Sequence, residues 1–240
     1  MPYKNIVKKF SEGVYYHAYN RGYNKQVIFH DKQDYATFMF LLKKYLDLDF
    51  REARVMPTGE VVFIKSNSLV KDVELHAFSL MPNHFHMLIK QKSKKGMPKL
   101  IGRVSQAYTH YYNEKYEKIG SIWQGTYKAV LIRNEQQFLH VSRYIHINVS
   151  EILAELIKSG IVPDRDSPVS GLSLYEYSSY PTYLGIKKLN WLKTEDVLYH
   201  FISKSTSKEK AYQKFVEGKA QNVSKDIIEE IEDIERFVES

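Results

Sequence analysis

The sequence predicts an α+β fold: a ferredoxin-like split βαβ antiparallel sheet with helices on one face, plus a C-terminal helical extension. Three observations carry this. Hydrophobic periods of strand and helix type alternate as strand, helix, strand, strand, helix, strand over residues 14–132. The two middle strand segments are separated only by Met81-Pro82-Asn83, a spacing suited to an antiparallel pair. Both helical segments carry a single apolar stripe, as helices laid on one face of a sheet do.

Each element has its own justification. Val14–Asn20 is aromatic and β-prone and ends at Arg21-Gly22. Asp31, with Asp34 three residues on, caps a helix whose stripe is Tyr35, Phe38, Leu41, Leu42, Tyr45 and Leu46. Residues 51–71 hold Pro57, a Thr58-Gly59 turn and the run Val61–Ile64, which predicts a short hairpin. Val73–Leu80 and Phe85–Gln91 are strands, Lys92–Pro98 is a basic loop, and Leu100–Tyr116 is a helix. Tyr127–Ile132 is a further strand, and Glu135–Lys158 reads as one long helix. Residues 163–190 are expected to be a boundary region and 191–238 three short amphipathic helices. The predicted division is therefore 1–162, a linker at 163–190, and a helical extension at 191–240.

Composition narrows the function classes. At 240 residues, with 43% hydrophobic and 26% charged, the chain is long enough for a substantial core. No apolar run approaches the ~18 residues of a membrane span, and the amino terminus has no basic-then-apolar leader, so a cytoplasmic protein is expected, neither membrane-spanning nor secreted. Cysteine is absent, which excludes disulfides, thiolate nucleophiles and cysteine-bound zinc. The net charge of +7 is uneven: residues 219–240 hold three basic and seven acidic residues, leaving +11 on the remainder. Ten Lys and Arg against two Glu fall in 90–133, interleaved with tyrosines and Trp123. A basic field with rings beside cations suits single-stranded nucleic acid, with Lys92, Lys94, Lys95, Arg103, Lys128 and Arg133 as phosphate contacts. Arg21 is a further phosphate candidate, though it and His17 suit a structural role equally. Trp123 either stacks on a base or belongs to the core.

The densest candidate site is Met81-Pro82-Asn83-His84-Phe85-His86. On a strand, His84, His86 and Leu88 share one face while Phe85, Met87 and Ile89 share the other. Two imidazoles so spaced can grip one divalent ion, or stand as incidental histidines on a half-exposed strand.

The run His76–His86 closely resembles the histidine-hydrophobic-histidine motif of the HUH single-strand DNA endonucleases. More narrowly it is similar to the REP-associated tyrosine transposases, relatives of the single-strand insertion-sequence transposases. The resemblance extends through His17–Gly22, Phe29–Asp34, Gly120–Gln124 and Arg143–Asn148, over roughly residues 14–185. It departs at Thr126, where the family usually has a basic residue, and at Val149, where it usually has Pro, so that the helix is expected to run on. The resemblance implies that Tyr144 is the nucleophile and that Asn148, four residues later, is the third metal ligand beside His84 and His86. On a helix those two residues are surface neighbours, flanking the stripe Phe138, Val141, Ile145, Val149, Ile152 and Leu156. Mixed nitrogen and oxygen ligation suits Mg²⁺ or Mn²⁺, and imidazole also takes Zn²⁺. The implied function is a metal-dependent single-strand endonuclease and strand transferase forming a 5′-phosphotyrosine link on hairpin or palindromic DNA. Its partners would be single-stranded or hairpin DNA near the nucleoid and, in one arrangement, a second copy in a homodimer. The rival readings are a non-catalytic single-stranded nucleic-acid-binding protein on the same sheet, and a zinc hydrolase, which lacks an evident third strong ligand.

Overall fold

The computed structural model describes residues 10–158 and 171–218. Four strands, β1 (Val14–Arg21), β4 (Val73–Met81), β5 (His84–Gln91) and β6 (Lys128–Leu131), form an antiparallel sheet in the order β4-β5-β1-β6. This is the ferredoxin-like arrangement expected. A separate hairpin, β2 (Arg51–Val55) with β3 (Val61–Lys65), fills the predicted position and exposes most of its side chains.

The two sheet faces have different occupants. Helix α1 (Lys32–Leu46) starts where expected, with the Asp31 carboxylate accepting from the amides of Gln33 and Asp34. Helix α2 runs Gly96–Tyr116 and begins four residues before the predicted start, inside the stretch read as loop. Gly96 allows this, because a Cβ there would collide with the Asp72 carbonyl. Phe38 and Leu42 of α1 and Leu100, Ile101 and Val104 of α2 meet Phe85 and Met87 of β5. The phenylalanine–methionine face is therefore the core face under the two crossover helices, and His84 and His86 point the other way.

That second face is covered by α3 (Glu135–Ile147), which packs on β4 and β5. The single helix expected from 135 to 158 is instead two, α3 and α4 (Ser150–Lys158), interrupted at Asn148 and Val149. Val149 is fully buried just past the end of α3, so the chain turns to place it in the core rather than continuing straight.

The stretch expected as a linker is partly structural: 163–170 lie outside the described residues, but 171–193 line the free edge of β4. The Leu80 and Ser179 amides donate to the Tyr177 and Phe78 carbonyls, and Lys193 donates to Leu75. Blunting an open sheet edge in this way removes a site for unwanted strand pairing. That stretch includes α5 (Tyr180–Tyr183); beyond it, α6 (Glu195–Leu198) and α7 (Lys208–Glu217) form the described part of the extension, and the acidic residues 219–240 lie outside the described residues. The Arg143 guanidinium donates to the Phe215 and Gly218 carbonyls, tying α3 to the end of α7.

The clasp joining α3, α7 and the 171–193 segment to the sheet is a buried chain of hydrogen bonds. Ser142 Oγ donates to the Leu139 carbonyl and accepts from Tyr212, whose oxygen is 2.8 Å from His146 Nδ1. His146 Nε2 lies 2.6 Å from Ser179 Oγ, which accepts from the Phe78 amide. Ser179→Ala should lower unfolding free energy by about 1–3 kcal/mol in urea titration, because it strands a buried imidazole nitrogen and a strand amide. An unchanged midpoint would mean that this clasp does not hold the extension.

Candidate active site

The β4–β5 connection sets the first of the clustered side chains. Pro82 and Asn83 link Met81 to His84, and their carbonyls are pinned from outside the hairpin. The Pro82 carbonyl accepts from the amides of Ile28 and Phe29, and that of Asn83 accepts from Gly22. Gly22 is required there, since a Cβ would strike the Gln26 carbonyl. The Asn83 side-chain Nδ2 donates to the Lys25 carbonyl, which fixes the orientation of the amide. Its Oδ1 therefore faces His84 Nδ1 at 2.6 Å, and only the imidazole can donate in that bond. His84 thus carries its proton on Nδ1 and a lone pair on Nε2.

His86 follows two residues along the same strand face, its ring centroid 5.0 Å from that of His84. Its Nδ1 is 3.1 Å from His17 Nε2 of β1. The Tyr144 ring of α3 lies edge-on to both His86, at 5.5 Å, and His17, at 5.8 Å. The structure therefore brings together His84, His86 and Tyr144, as anticipated, and adds His17. From sequence alone His17 suits no more than a structural role; the signal that could have found it is its place on the same face of the first strand as Tyr19, which lies opposite His86.

The cluster is dry. His17 and His86 are fully buried, His84 is 6% exposed and Tyr144 7%, more deeply placed than the helix flank expected. Burial holds His17 and His84 down to about 3, the latter with help from Arg21, and pushes His86 well below the usual imidazole value. All three rings are neutral at physiological pH. The Nε2 atoms of His84 and His86 are buried without a hydrogen-bond partner among the described residues. Two such nitrogens on one strand face, one of them already shown to carry a lone pair, fit a divalent cation.

The other sequence candidates divide by position. Arg21 pairs across the strands with His84, and Lys128 with Tyr19, so both stand at the His84 end of the sheet. Lys128 is held below its ordinary value by burial and by Arg21, which places the two cations close together. Asn148 caps the end of α3, its amide donating to the Tyr144 carbonyl, and no described side-chain contact joins it to the histidines. Lys92, Lys94 and Lys95 lie past the opposite end of β5. Eight residues from His84 to Lys92 span roughly 26 Å of strand. Lys92 is moreover paired with Glu74 at 2.9 Å. Arg133 follows β6 at that same far end. Arg103 sits on α2, across the sheet, over the Tyr45 ring. Trp123 is a core residue rather than a stacking platform, 6% exposed, packed on Phe85 and Phe38 with its Nε1 donating to Thr109 Oγ1.

A second titratable group, Glu74, His76 and Asp196, gathers near the far end of the same face. Its carboxylates are already engaged, Glu74 by Lys92 and Asp196 by the Tyr15 hydroxyl at 2.7 Å with Lys90 at 3.9 Å. The group reads as an ion-pair network holding α6 to the sheet.

A strand bearing His-x-His opposite a helical tyrosine, on a ferredoxin-like sheet, is the arrangement that the resemblance to the HUH endonucleases implies. Residues 61–148 match the family model described as Transposase IS200 like. No curated protein matches the chain. Among solved structures the chain is similar to a REP-associated tyrosine transposase bound to a REP hairpin, at 14% identity and a TM-score of 0.48, covering 79% of this chain and 96% of that one. No helix among the described residues is long and apolar enough to cross a membrane.

Acid should destabilise the protein through this cluster. The unfolded imidazoles take up protons near pH 6.5 and the buried ones only near 3, so the unfolded state binds more protons throughout that window and stability falls as pH drops across it. Thermal scans should show the melting temperature falling between pH 7 and pH 5; a flat profile would contradict the burial of neutral histidines.

Proposed function

We propose that the protein is a metal-dependent single-strand DNA endonuclease and strand transferase of the transposase type, using Tyr144 as nucleophile on hairpin or palindromic DNA. The observation that carries this reading is the meeting of the Tyr144 ring with His86 and His17 beside two buried imidazole nitrogens that have no partner among the described residues, in a segment that matches the IS200-like transposase model.

His84 offers an Nε2 lone pair, His86 Nε2 lies on the same strand face, and Asn148, at the end of the same helix as Tyr144, would supply the third ligand. A divalent ion bound there, Mg²⁺ or Mn²⁺, would draw charge from the scissile phosphate and from the attacking oxygen. Arg21 and Lys128 bring positive charge to the His84 end, where a phosphate backbone can be neutralised on approach. The Tyr144 oxygen forms a bond to phosphorus as the bond from phosphorus to the 3′ oxygen breaks. The phenol proton leaves the nucleophile and the departing oxygen ends as a 3′-hydroxyl. One phosphoester replaces another, so the bond is retained for strand transfer and no nucleotide cofactor is consumed. Because the ring and its histidines are covered in this conformation, DNA must displace part of that cover to reach the hydroxyl.

That burial is also what a non-catalytic DNA-binding protein would show, with Tyr144 as a packing residue. Removing only the hydroxyl separates the two readings. Tyr144→Phe should keep hairpin affinity and fold yet lose the covalent protein–DNA adduct and the nick together, a fall of at least about 10³-fold for loss of a nucleophile. A variant that still forms the adduct, or an adduct mapped to another tyrosine by mass spectrometry, overturns the assignment.

Electrostatics gives an independent check. Charge reversal at the active end, Arg21→Glu or Lys128→Glu, should weaken single-strand binding and flatten its salt dependence by about 0.7 log units per lost phosphate contact, whereas Arg103→Glu should leave both unchanged. Equal effects at all three positions would show that binding does not centre on the His84 end.

A further inference from the structure

We propose that His17 is a positioning residue that fixes the proton of His86, so that both histidines of the strand present their Nε2 lone pairs together. The inference rests on the reading of His84 and His86 as cation ligands.

A neutral imidazole has one donor nitrogen and one acceptor nitrogen, and a metal can take only the acceptor. For His84 the choice is made by Asn83, whose oxygen can only accept. His86 has the same need and a different neighbour. Its Nδ1 faces His17 Nε2 at 3.1 Å, with both rings fully buried. A contact that short between two ring nitrogens needs one ring to donate and the other to accept.

The two arrangements differ in what they leave at Nε2 of His86. If His17 donates, the His86 proton sits on Nε2, where an N–H would face the site and block a cation. If His86 donates, Nε2 carries a lone pair, like that of His84. Only the second makes the two histidines equivalent as ligands. His17 is then the acceptor that holds the His86 ring, as carboxylates and carbonyls do for metal-bound histidines elsewhere.

Register explains why His17 serves. Tyr19 lies directly across the sheet from His86, while His17 is the diagonal neighbour on the same face, opposite Leu88. Diagonal partners stand far enough apart for two rings to meet edge to edge through their nitrogens instead of stacking. The same placement puts the His17 ring under Tyr144, 5.8 Å away. One side chain of β1 thereby supports both a ligand and the nucleophile's ring.

Two measurements test this without DNA or turnover. In metal-free wild-type protein with ¹⁵N-labelled histidine, the His86 resonances should show a protonated Nδ1 and an unprotonated Nε2. In calorimetric Mn²⁺ titrations, His17→Leu, which fills the space but cannot accept, should weaken binding about tenfold or more, the range for loss of such an orienting partner. His17→Gln, whose Oε1 can accept, should recover most of that loss. A His86 proton found on Nε2, wild-type Mn²⁺ affinity in His17→Leu, or equal weakening in Leu and Gln would each overturn the proposal. The last outcome would make His17 a packing residue or a direct ligand. Failure of the covalent adduct with the tautomer as stated would remove the proposed enzyme and leave the positioning role standing.

Discussion

Placing several imidazoles in a dry sheet face is the constraint on which this structure depends. A buried histidine cannot stay charged without a partner, so each ring must be neutral and its single proton must have a definite place. His84 meets that demand through Asn83, and His146 through Tyr212 and Ser179. The elements around the face hold these rings and their partners in place. The β4–β5 turn is held by backbone bonds from two other segments, and α3 is fastened to α7 through Arg143. Strand β4 is covered along its edge by residues 177–193. A loosely held hairpin or a swinging α3 would leave the proton positions undefined, and with them any use of the nitrogens as ligands.

The sheet separates stability from chemistry by its two faces. Phe85 and Met87 sink into the apolar layer under α1 and α2, while His84 and His86, alternating with them on the same strand, meet Tyr144 on the other side. The four-residue run His84–Met87 thus serves both the core and the histidine cluster. Polarity along the strands adds a direction: Arg21 and Lys128 gather at the His84 end, and the opposite end is occupied by Lys90, Lys92, Glu74 and Asp196 in mutual pairing. Lysines spent on ion pairs contribute less to phosphate attraction than the sequence count implies.

Much of this was legible in the sequence because it rests on local rules. Strand alternation put His84 and His86 on one face, Asp31 announced the start of α1, and the order of periods gave the sheet. What was not legible depends on long-range register or close packing. The early start of α2 needs the fit of Gly96 against the Asp72 carbonyl, which no periodicity contains. The break after α3 follows from burying Val149, against a sequence that reads as continuous helix. Lys92–Lys95 are near His86 in sequence, but an extended strand carries them far from it in space. His17 is distant in sequence and adjacent in space for the same reason, and Trp123 lost its role as a base-stacking candidate once its ring was seen packed on Phe85.

On the proposed reading the Nε2 atoms of His84 and His86 converge on one cation beside Tyr144. Anomalous diffraction from crystals soaked in Mn²⁺ tests it most directly, because the ion reports its own position. The expected result is a peak within coordination distance of both nitrogens, on the Tyr144 side of the sheet. A peak only at Glu74, His76 and Asp196, or none on this face at saturating Mn²⁺, would contradict it.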